Sequence, residues 1–329
     1  MSRSRPDDAA ISGTAMPDDS KELRAELVAC LPSLQIDTVA ATSGQRVVYF
    51  GRFDDSLIPD DIPRDSPFLR GWQDWGKVVI KVVSGATPEA LTRLEAETRI
   101  LREVKPAQFP ALRFSNLFVD NPITDDKLRQ SLYVSIEEFI ESQTLSELLH
   151  SHCGSPRDVA RVTLGIAEAL DPLWSHPLRF VHRDIKPANV LVKPDGTVVV
   201  IDLGIVRETG GIGITQEGWG NGPLTLDYAA PEQVANDKDA ISFKSDFFAI
   251  GVLMYEMLSG THPFKTRTGM DQYELARAIQ ETPHKPLADW RCADDRTCTL
   301  VDALLRKAPY QRPRTPAALI QELKLIQGS

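Results

Sequence analysis

The sequence predicts an α+β fold with two lobes. Residues 34–139 form a small lobe on an antiparallel sheet with one helix, and residues 140–329 form a larger, mainly helical lobe. β-branched runs at residues 47–50 and 78–83 are typical of strands. Residues 247–254 are apolar on every side, which predicts a helix at the centre of a core. A chain of 329 residues is long enough for one such unit.

The N-terminal residues 1–33 are predicted to form a disordered tail followed by a short helix. Residues 1 to about 19 are small, polar and proline-containing, which is typical of disorder. Ser20 is a candidate N-cap for a short helix through Leu31, and Pro32 would close that helix.

An insert at residues 54–76 separates the first strands of the small lobe. It is acidic and rich in proline, which predicts a long loop or an inserted hairpin. Trp72 and Trp75 in this insert would either dock a partner or hold the insert against its own lobe, and the second interpretation is favoured.

The helix of the small lobe carries an acidic residue on its apolar face. Thr87 and Pro88 supply a capping hydroxyl and a first-turn proline, which predict the helix start. Glu97 falls in the middle of the apolar face that follows. A carboxylate there is costly unless it has a cationic partner, so Glu97 is expected to form a buried ion pair.

Two polar segments flank a predicted hairpin in the large lobe. Residues 190–192 and 198–201 surround an Asp195-Gly196 turn, which is a strong hairpin signal. The segment 182–189 comes just before this hairpin, and Asp202 comes just after it. The hairpin is therefore expected to hold the two segments side by side.

The residue types in these segments suit phosphoryl transfer. That reaction needs metal ligands, charge neutralisation and an oriented hydroxyl group. Asn189 and Asp202 offer a neutral and an anionic oxygen ligand to magnesium. Asp184 can accept a hydrogen bond from the attacking hydroxyl, and Lys186 can neutralise charge on the γ-phosphate.

Residues 182–189 read HRDIKPAN and resemble the catalytic loop H-R-D-x-K-P-x-N of the eukaryotic-type serine/threonine protein kinases. The resemblance covers roughly residues 36–325 and suggests a bacterial eukaryotic-like kinase. It implies the two-lobed protein kinase fold, with ATP and Mg²⁺ as cofactors. It also implies transfer of the γ-phosphoryl group to serine or threonine hydroxyls of protein substrates, including autophosphorylation, and a role in signalling.

Further motifs extend the resemblance along the chain. Residues 78–81 resemble the family's V-A-I-K strand, which implies that Lys81 binds the α- and β-phosphates and pairs with Glu97. Glu232 ends an Ala-Pro-Glu motif, and Arg312 lies where the family carries the arginine that pairs with it. Asp246 matches the aspartate that braces the catalytic loop.

The resemblance also implies a nucleotide-binding set, and this set departs from the family pattern. Ala41, Ser43 and Arg46 stand where the glycine-rich loop of the family has three glycines, and only Gly44 lies between them. Arg46 would either supply a cation to the phosphates or weaken ATP binding. Glu137 occupies the gatekeeper position beside the adenine pocket, which is unusual. The implied nucleotide-binding residues are Lys81, Ala41, Ser43, Gly44, Arg46, Val48, Glu138 and Ile140.

Substrate class and regulation are implied by residues around the activation segment. Lys186 and Thr225 match positions that favour serine or threonine as the acceptor. Arg183, next to the catalytic aspartate, suggests control by an acidic or phosphorylated segment, because a guanidinium binds anions in bidentate fashion. Thr209 and Thr215 are candidate phosphorylation sites by position.

Composition limits the remaining function classes. A net charge of −9 disfavours binding to nucleic acid or to an anionic membrane. The longest apolar runs are strand-sized or interrupted by charge, so no membrane span is expected. Four scattered cysteines form no CxxC pair, which favours reduced thiols and a cytoplasmic protein.

Two alternatives to an active protein kinase stay open at this point. The altered phosphate loop would suit a pseudokinase that binds nucleotide as a scaffold. A small-molecule kinase of the aminoglycoside phosphotransferase type would share the base and metal residues, but such enzymes generally lack Lys186 and the Ala-Pro-Glu motif. A regulatory partner is envisaged at the N-terminal helix or at the insert 54–76.

Overall fold

The computed structural model describes residues 21–43, 46–62, 71–104, 107–149, 154–203 and 226–328. The predictions for the N-terminal tail, its cap at residue 20, Gly44 and the threonines at 209, 215 and 225 lie outside these ranges.

The small lobe is built on a five-stranded antiparallel sheet with the strand order β1-β2-β3-β5-β4. The helix α2 (Pro88–Val104) follows β3, as the capping pattern predicted. The strands are β1 (Leu34–Ser43), β2 (Arg46–Phe53), β3 (Val78–Ser84), β4 (Leu112–Asp120) and β5 (Lys127–Glu138).

The register of this sheet decides which side chains share a face with Lys81. Val48 lies opposite Lys81, and Lys81 lies opposite Ser135. Because side chains alternate between the two faces of a strand, Arg46, Lys81 and Glu137 share one face. Their sequence neighbours point the other way into an apolar core, which includes Val47, Tyr49, Ile80, Val82 and Ile136.

The helix predicted near the N-terminus is present as α1 (Lys21–Cys30), and it is part of the small lobe. Leu23, Leu27 and Cys30 are buried in the same core as the outer face of the sheet. Asn121 donates a side-chain hydrogen bond to the carbonyl of Ala29 at 3.2 Å. The short helix expected here therefore packs on the small lobe, because its apolar stripe covers the sheet.

The two tryptophans of the insert hold it against its own lobe. Their rings stack on each other at 4.7 Å, and both pack edge-on against Phe53, Trp72 at 5.0 Å and Trp75 at 5.7 Å. Trp72 also contacts Phe114 at 4.9 Å. In its described residues the insert forms two short 3₁₀ helices (Asp55–Leu57 and Gln73–Trp75) rather than a hairpin.

The large lobe is mainly helical and carries a small sheet with the order β6-β7-β8. The strands are β6 (Gln143–Thr144), β7 (Val190–Val192) and β8 (Val198–Val200). The helices are α3 (Leu145–Leu149), α4 (Pro156–Trp174), α5 (Pro231–Val234), α6 (Phe243–Ser259), α7 (Gln272–Glu281), α8 (Asp295–Leu304) and α9 (Pro316–Gln327).

Helix α6 lies at the centre of the large-lobe core, as its uniformly apolar sequence predicted. Gly251 on this helix allows α8 to approach closely, since a Cβ atom there would lie 2.7 Å from Cβ of Leu304. Among the described residues, no helix is both long and apolar enough to cross a membrane.

Candidate active site

The predicted hairpin positions residues 182–189, which we call the catalytic segment after the family motif that they resemble. A 3₁₀ turn (Pro187–Asn189) leads directly into β7, and the backbone amide of Ile201 donates to the carbonyl of Asn189 at 2.9 Å. This bond holds the segment after β8, which carries Asp202, beside the segment before β7. The side-by-side arrangement expected from the sequence is confirmed.

Asp184, Lys186 and Asn189 form one cluster on the catalytic segment. Nδ2 of Asn189 donates to the carboxylate of Asp184 at 3.0 Å and to its backbone carbonyl at 2.9 Å. Nζ of Lys186 lies 2.8 Å from the same carboxylate, which is only partly buried. Because the amide nitrogen of Asn189 is used in this way, its amide oxygen is the atom oriented to accept a cation.

Asp246 holds the catalytic segment from beneath. Its carboxylate accepts hydrogen bonds from the backbone amides of His182 at 3.0 Å and Arg183 at 2.8 Å. It also accepts one from the indole Nε1 of Trp174 at 2.8 Å. Burial raises the pKa of Asp246, although His182 and the donated hydrogen bonds act in the opposite direction. Arg183 adopts a positive φ of 69°, a strained conformation that these bonds stabilise.

Lys81 bridges the small lobe to Asp202. Its Nζ atom lies 2.8 Å from Oε1 of Glu137 and 2.9 Å from Oδ1 of Asp202. Burial acts to lower the pKa of Lys81, but Glu137 and then Asp202 outweigh it, so this pKa is raised. Lys81 chiefly, and Arg46 after it, hold the pKa of Asp202 well below its usual range despite burial.

Glu97 pairs with Arg46 rather than with Lys81, which corrects the pairing implied by the family resemblance. Nη2 of Arg46 lies 3.2 Å from Oε2 of Glu97, and Nη1 lies 3.2 Å from Oδ1 of Asp202. Glu97 does lie in a buried ion pair, as the helix pattern predicted. Burial raises the pKa of Glu97, and the Arg46 guanidinium only partly counters this.

The reason for the different pairing lies in the sheet. Residues two apart on neighbouring strands are diagonal neighbours on one face, within reach of long side chains. Lys81 lies opposite Ser135, so Glu137 is its diagonal neighbour on β5. Alternation along β5 puts Glu137 on the face of Lys81, so strand periodicity is a signal of this contact, whereas the family pattern implies Glu97 as the partner.

The remaining predicted nucleotide-binding residues lie around this face. Val48 faces the same side as Lys81, and Ala41 lies opposite Val48 on β1, which also carries Ser43. Glu138 and Ala111 form two hydrogen bonds. The backbone amide of Glu138 donates to the carbonyl of Ala111 at 2.9 Å, and the backbone amide of Ala111 donates to the carboxylate of Glu138 at 3.3 Å. The carbonyl of Ile140 accepts a hydrogen bond from Oγ of Ser142 at 3.0 Å.

The pair formed by Glu232 and Arg312 lies below the site. Nη1 of Arg312 lies 2.7 Å from Oε1 of Glu232, and Nη2 lies 2.8 Å from Oε2, so the pairing is bidentate. Gln233, the next residue, donates through Nε2 to the carbonyl of Arg183 at 2.9 Å. The Ala-Pro-Glu segment is thereby tied to the catalytic segment, and the predicted ion pair is confirmed.

The oxygen atoms at the site suit magnesium. Asp202 offers a partly exposed carboxylate and Asn189 an amide oxygen, which are hard donors. In the described part of the chain no cluster of three or more His, Cys, Asp or Glu side chains could hold a metal by itself. Two protein oxygens fit Mg²⁺, which binds through one or two carboxylates together with phosphates and waters.

Comparison with known proteins gives a consistent result. The family described as "Protein kinase domain" matches residues 73–323. Curated relatives include a probable serine/threonine-protein kinase of Streptomyces coelicolor, 34% identical over 54% of this chain and 25% of its own length. The serine/threonine-protein kinases PknA of Corynebacterium glutamicum and PknB of Mycobacterium tuberculosis are 33% and 31% identical, over 54% and 59% of this chain. The chain covers 36% and 30% of these two relatives, so all three are much longer.

Proposed function

This chain belongs to the protein kinase family, and on that premise we propose that it transfers the γ-phosphoryl group of ATP to serine or threonine hydroxyls of proteins. Its relatives carry the name serine/threonine-protein kinase, and the residues that such a reaction requires lie together between the two lobes. We also propose Mg²⁺ as the metal, autophosphorylation as one reaction, and a cytoplasmic site of action, where ATP is available.

One observation carries the proposal. Asp202 contacts Lys81 directly at 2.9 Å, and Asn189 is bonded to the segment before Asp202 and to Asp184. The residues proposed as phosphate ligand, metal ligands and base therefore lie in one connected set of contacts. This is the convergence that phosphoryl transfer by a protein kinase needs.

Each residue has a role that follows from its contacts. Magnesium-bound ATP supplies the phosphoryl group and neutralises part of its charge. Asp202 and Asn189 would hold the metal, and Lys81 would bind the phosphates from the small-lobe sheet. Asp184 is oriented by Asn189 to accept a hydrogen bond from the incoming hydroxyl, and Lys186 beside it places a positive charge where the transferred group passes.

A pseudokinase is the second candidate, and one contact favours it. Arg46 and Lys81 both bond Oδ1 of Asp202, so a metal ion would compete with two cations for the same carboxylate atom. If Arg46 always stayed bound to Asp202, the metal could not bind there. The chain would then act as a scaffold that binds nucleotide without transferring phosphate.

Transfer of labelled phosphate separates the two candidates. The full chain, incubated with γ-labelled ATP, Mg²⁺ and a basic protein, is expected to label itself and the added protein. Asp184→Asn is expected to abolish labelling while leaving the thermal shift with ATP and Mg²⁺ in place. Nucleotide binding without any transfer by the wild-type chain would instead establish the pseudokinase.

The surfaces considered for a regulatory partner are largely used within the small lobe. The apolar residues of α1 and both tryptophans of the insert pack against the sheet. A partner at either place would therefore contact polar groups, such as Glu22 and Arg129, which pair with each other across α1 and β5.

A further inference from the structure

The face of the small-lobe sheet that carries Lys81 holds two cations, whereas the family pattern has one. Lys81 projects from β3 and Arg46 from the start of β2. Each cation has its own acidic partner on a different element: Glu137 on β5 for Lys81, and Glu97 on α2 for Arg46. Both cations also contact Asp202.

Burial makes these pairs energetically important. The side chains of Lys81, Glu137 and Glu97 are 8%, 6% and 6% exposed. Removing one member of a buried ion pair leaves an uncompensated charge, which is far more costly than losing an exposed pair. Separating either cation from its acidic partner would therefore cost much free energy.

The two pairs also differ in how rigidly they are held. Lys81 and Glu137 lie on adjacent strands that are paired from Val78 to Ser84, so the sheet itself fixes their separation. Arg46 reaches across elements, with one nitrogen on Glu97 and the other on Asp202. A planar guanidinium can bind two carboxylates in this way, whereas an ammonium is a single point charge.

From these contacts we propose that Glu137, and not Glu97, is the residue that positions Lys81, and that Glu97 positions Arg46 as a second cation for the ATP phosphates. The proposal deepens the kinase function above and rests on it for the role of the phosphates. Arg46 thereby replaces the backbone contacts that a glycine-rich loop would make with the phosphates. The gatekeeper carboxylate of Glu137 holds the side chain of Lys81 in place.

Double-mutant cycles with isosteric variants test the pairing. The singles are Lys81→Met, Glu137→Gln, Arg46→Gln and Glu97→Gln, together with the doubles across and within the proposed pairs. Two quantities are measured on the full chain: the thermal midpoint without nucleotide, and the dissociation constant for ATP with Mg²⁺ by calorimetry. Residues in direct contact show non-additive effects, whereas independent residues show additive ones.

The expected pattern is specific. Glu137→Gln weakens ATP binding about tenfold in the wild-type background and has little further effect in Lys81→Met. Glu97→Gln loses most of its effect in Arg46→Gln and much less of it in Lys81→Met, where the coupling runs only through the shared Asp202. Glu137→Asp, which keeps the charge, restores part of the affinity. A coupling between Lys81 and Glu97 as large as or larger than the coupling between Lys81 and Glu137 would overturn the proposal in either measurement.

Matched controls and a second cycle keep the test decisive. Glu95→Gln on the exposed face of α2 and Arg52→Gln on β2 are expected to leave both measurements unchanged. If Lys81→Met does not fold, the cycles on the Arg46→Gln background decide, since only the effect of Glu97→Gln should vanish there. A wild-type chain that transfers no phosphate but shows the expected coupling would refute the kinase function and leave the pairing intact.

Discussion

Arg312 and Glu232 form a bidentate ion pair across 80 positions of sequence, with the side chains 0% and 3% exposed. Arg312 also donates to the backbone carbonyls of Lys244, Arg306 and Lys307. It therefore joins the Ala-Pro-Glu segment to the start of α6 and to the turn after α8. This contact is structural, and it lies outside the set of residues that would touch nucleotide.

Arg312→Ala is expected to lower the free energy of unfolding by about 3–5 kcal/mol, because it leaves Glu232 buried without its partner. Denaturant unfolding measures the change. Arg314→Ala removes an exposed arginine two residues away and should stay within about 0.5 kcal/mol of wild type. Equal losses for the two variants would contradict the role assigned to Arg312.

Asp246→Asn is expected to affect both stability and catalysis. Asparagine keeps one acceptor oxygen, so it cannot serve the three donors of His182, Arg183 and Trp174, and each donor left unsatisfied costs about 1–3 kcal/mol. The catalytic segment also loses its anchor, so kcat should fall more than KM for ATP changes. Denaturant unfolding and steady-state phosphorylation are the measurements, with the exposed Asp239→Asn as control. An unchanged kcat would show that the segment holds its shape without Asp246.

Gly251→Ala is expected to destabilise the large lobe by about 1–3 kcal/mol through overpacking. The added Cβ would lie 2.7 Å from Cβ of Leu304, which is closer than side chains tolerate, so α6 and α8 would have to separate. Gly328→Ala adds the same atom at the end of α9, where the nearest atom is 3.4 Å away, and should be nearly neutral. Thermal unfolding of the two variants checks the difference. A Gly251→Ala protein as stable as wild type would mean that the helices can adjust freely.

Cys30 is expected to resist alkylation at pH 8. Burial, with a smaller contribution from Glu26, raises the pKa of its thiol from 9.0 to about 11, which lowers the thiolate fraction about a hundredfold. Peptide mapping after iodoacetamide treatment should show modification at the partly exposed Cys292 well before Cys30.

The same shift has a consequence for stability. Because the pKa of Cys30 is higher in the folded chain than in the unfolded one, its contribution is complete below pH 9 and is lost as the pH rises towards 11. The difference in thermal midpoint between wild type and Cys30→Ala should therefore shrink over this interval. Rapid alkylation of Cys30 at pH 8, or a difference that stays constant with pH, would contradict this prediction.

Some contacts of the candidate site can be predicted from sequence patterns and others cannot. Asp184, Lys186 and Asn189 lie within one short segment, so local backbone geometry brings them together, and a contiguous motif predicts their arrangement. The helix pattern also predicted correctly that Glu97 needs a buried cation. It could not say which cation, because helical periodicity reports burial and carries no information on what faces the helix.

The two lobes, the catalytic segment and the need for a cation beside Glu97 can all be predicted from the amino-acid sequence, since each depends on local periodicity or on residues close in the chain. The partners of Lys81 and Arg46 and the position of α1 become visible only in the folded chain. Those follow from strand register and from how the elements stack. A shift of one residue in that register would turn Lys81 away from the cleft.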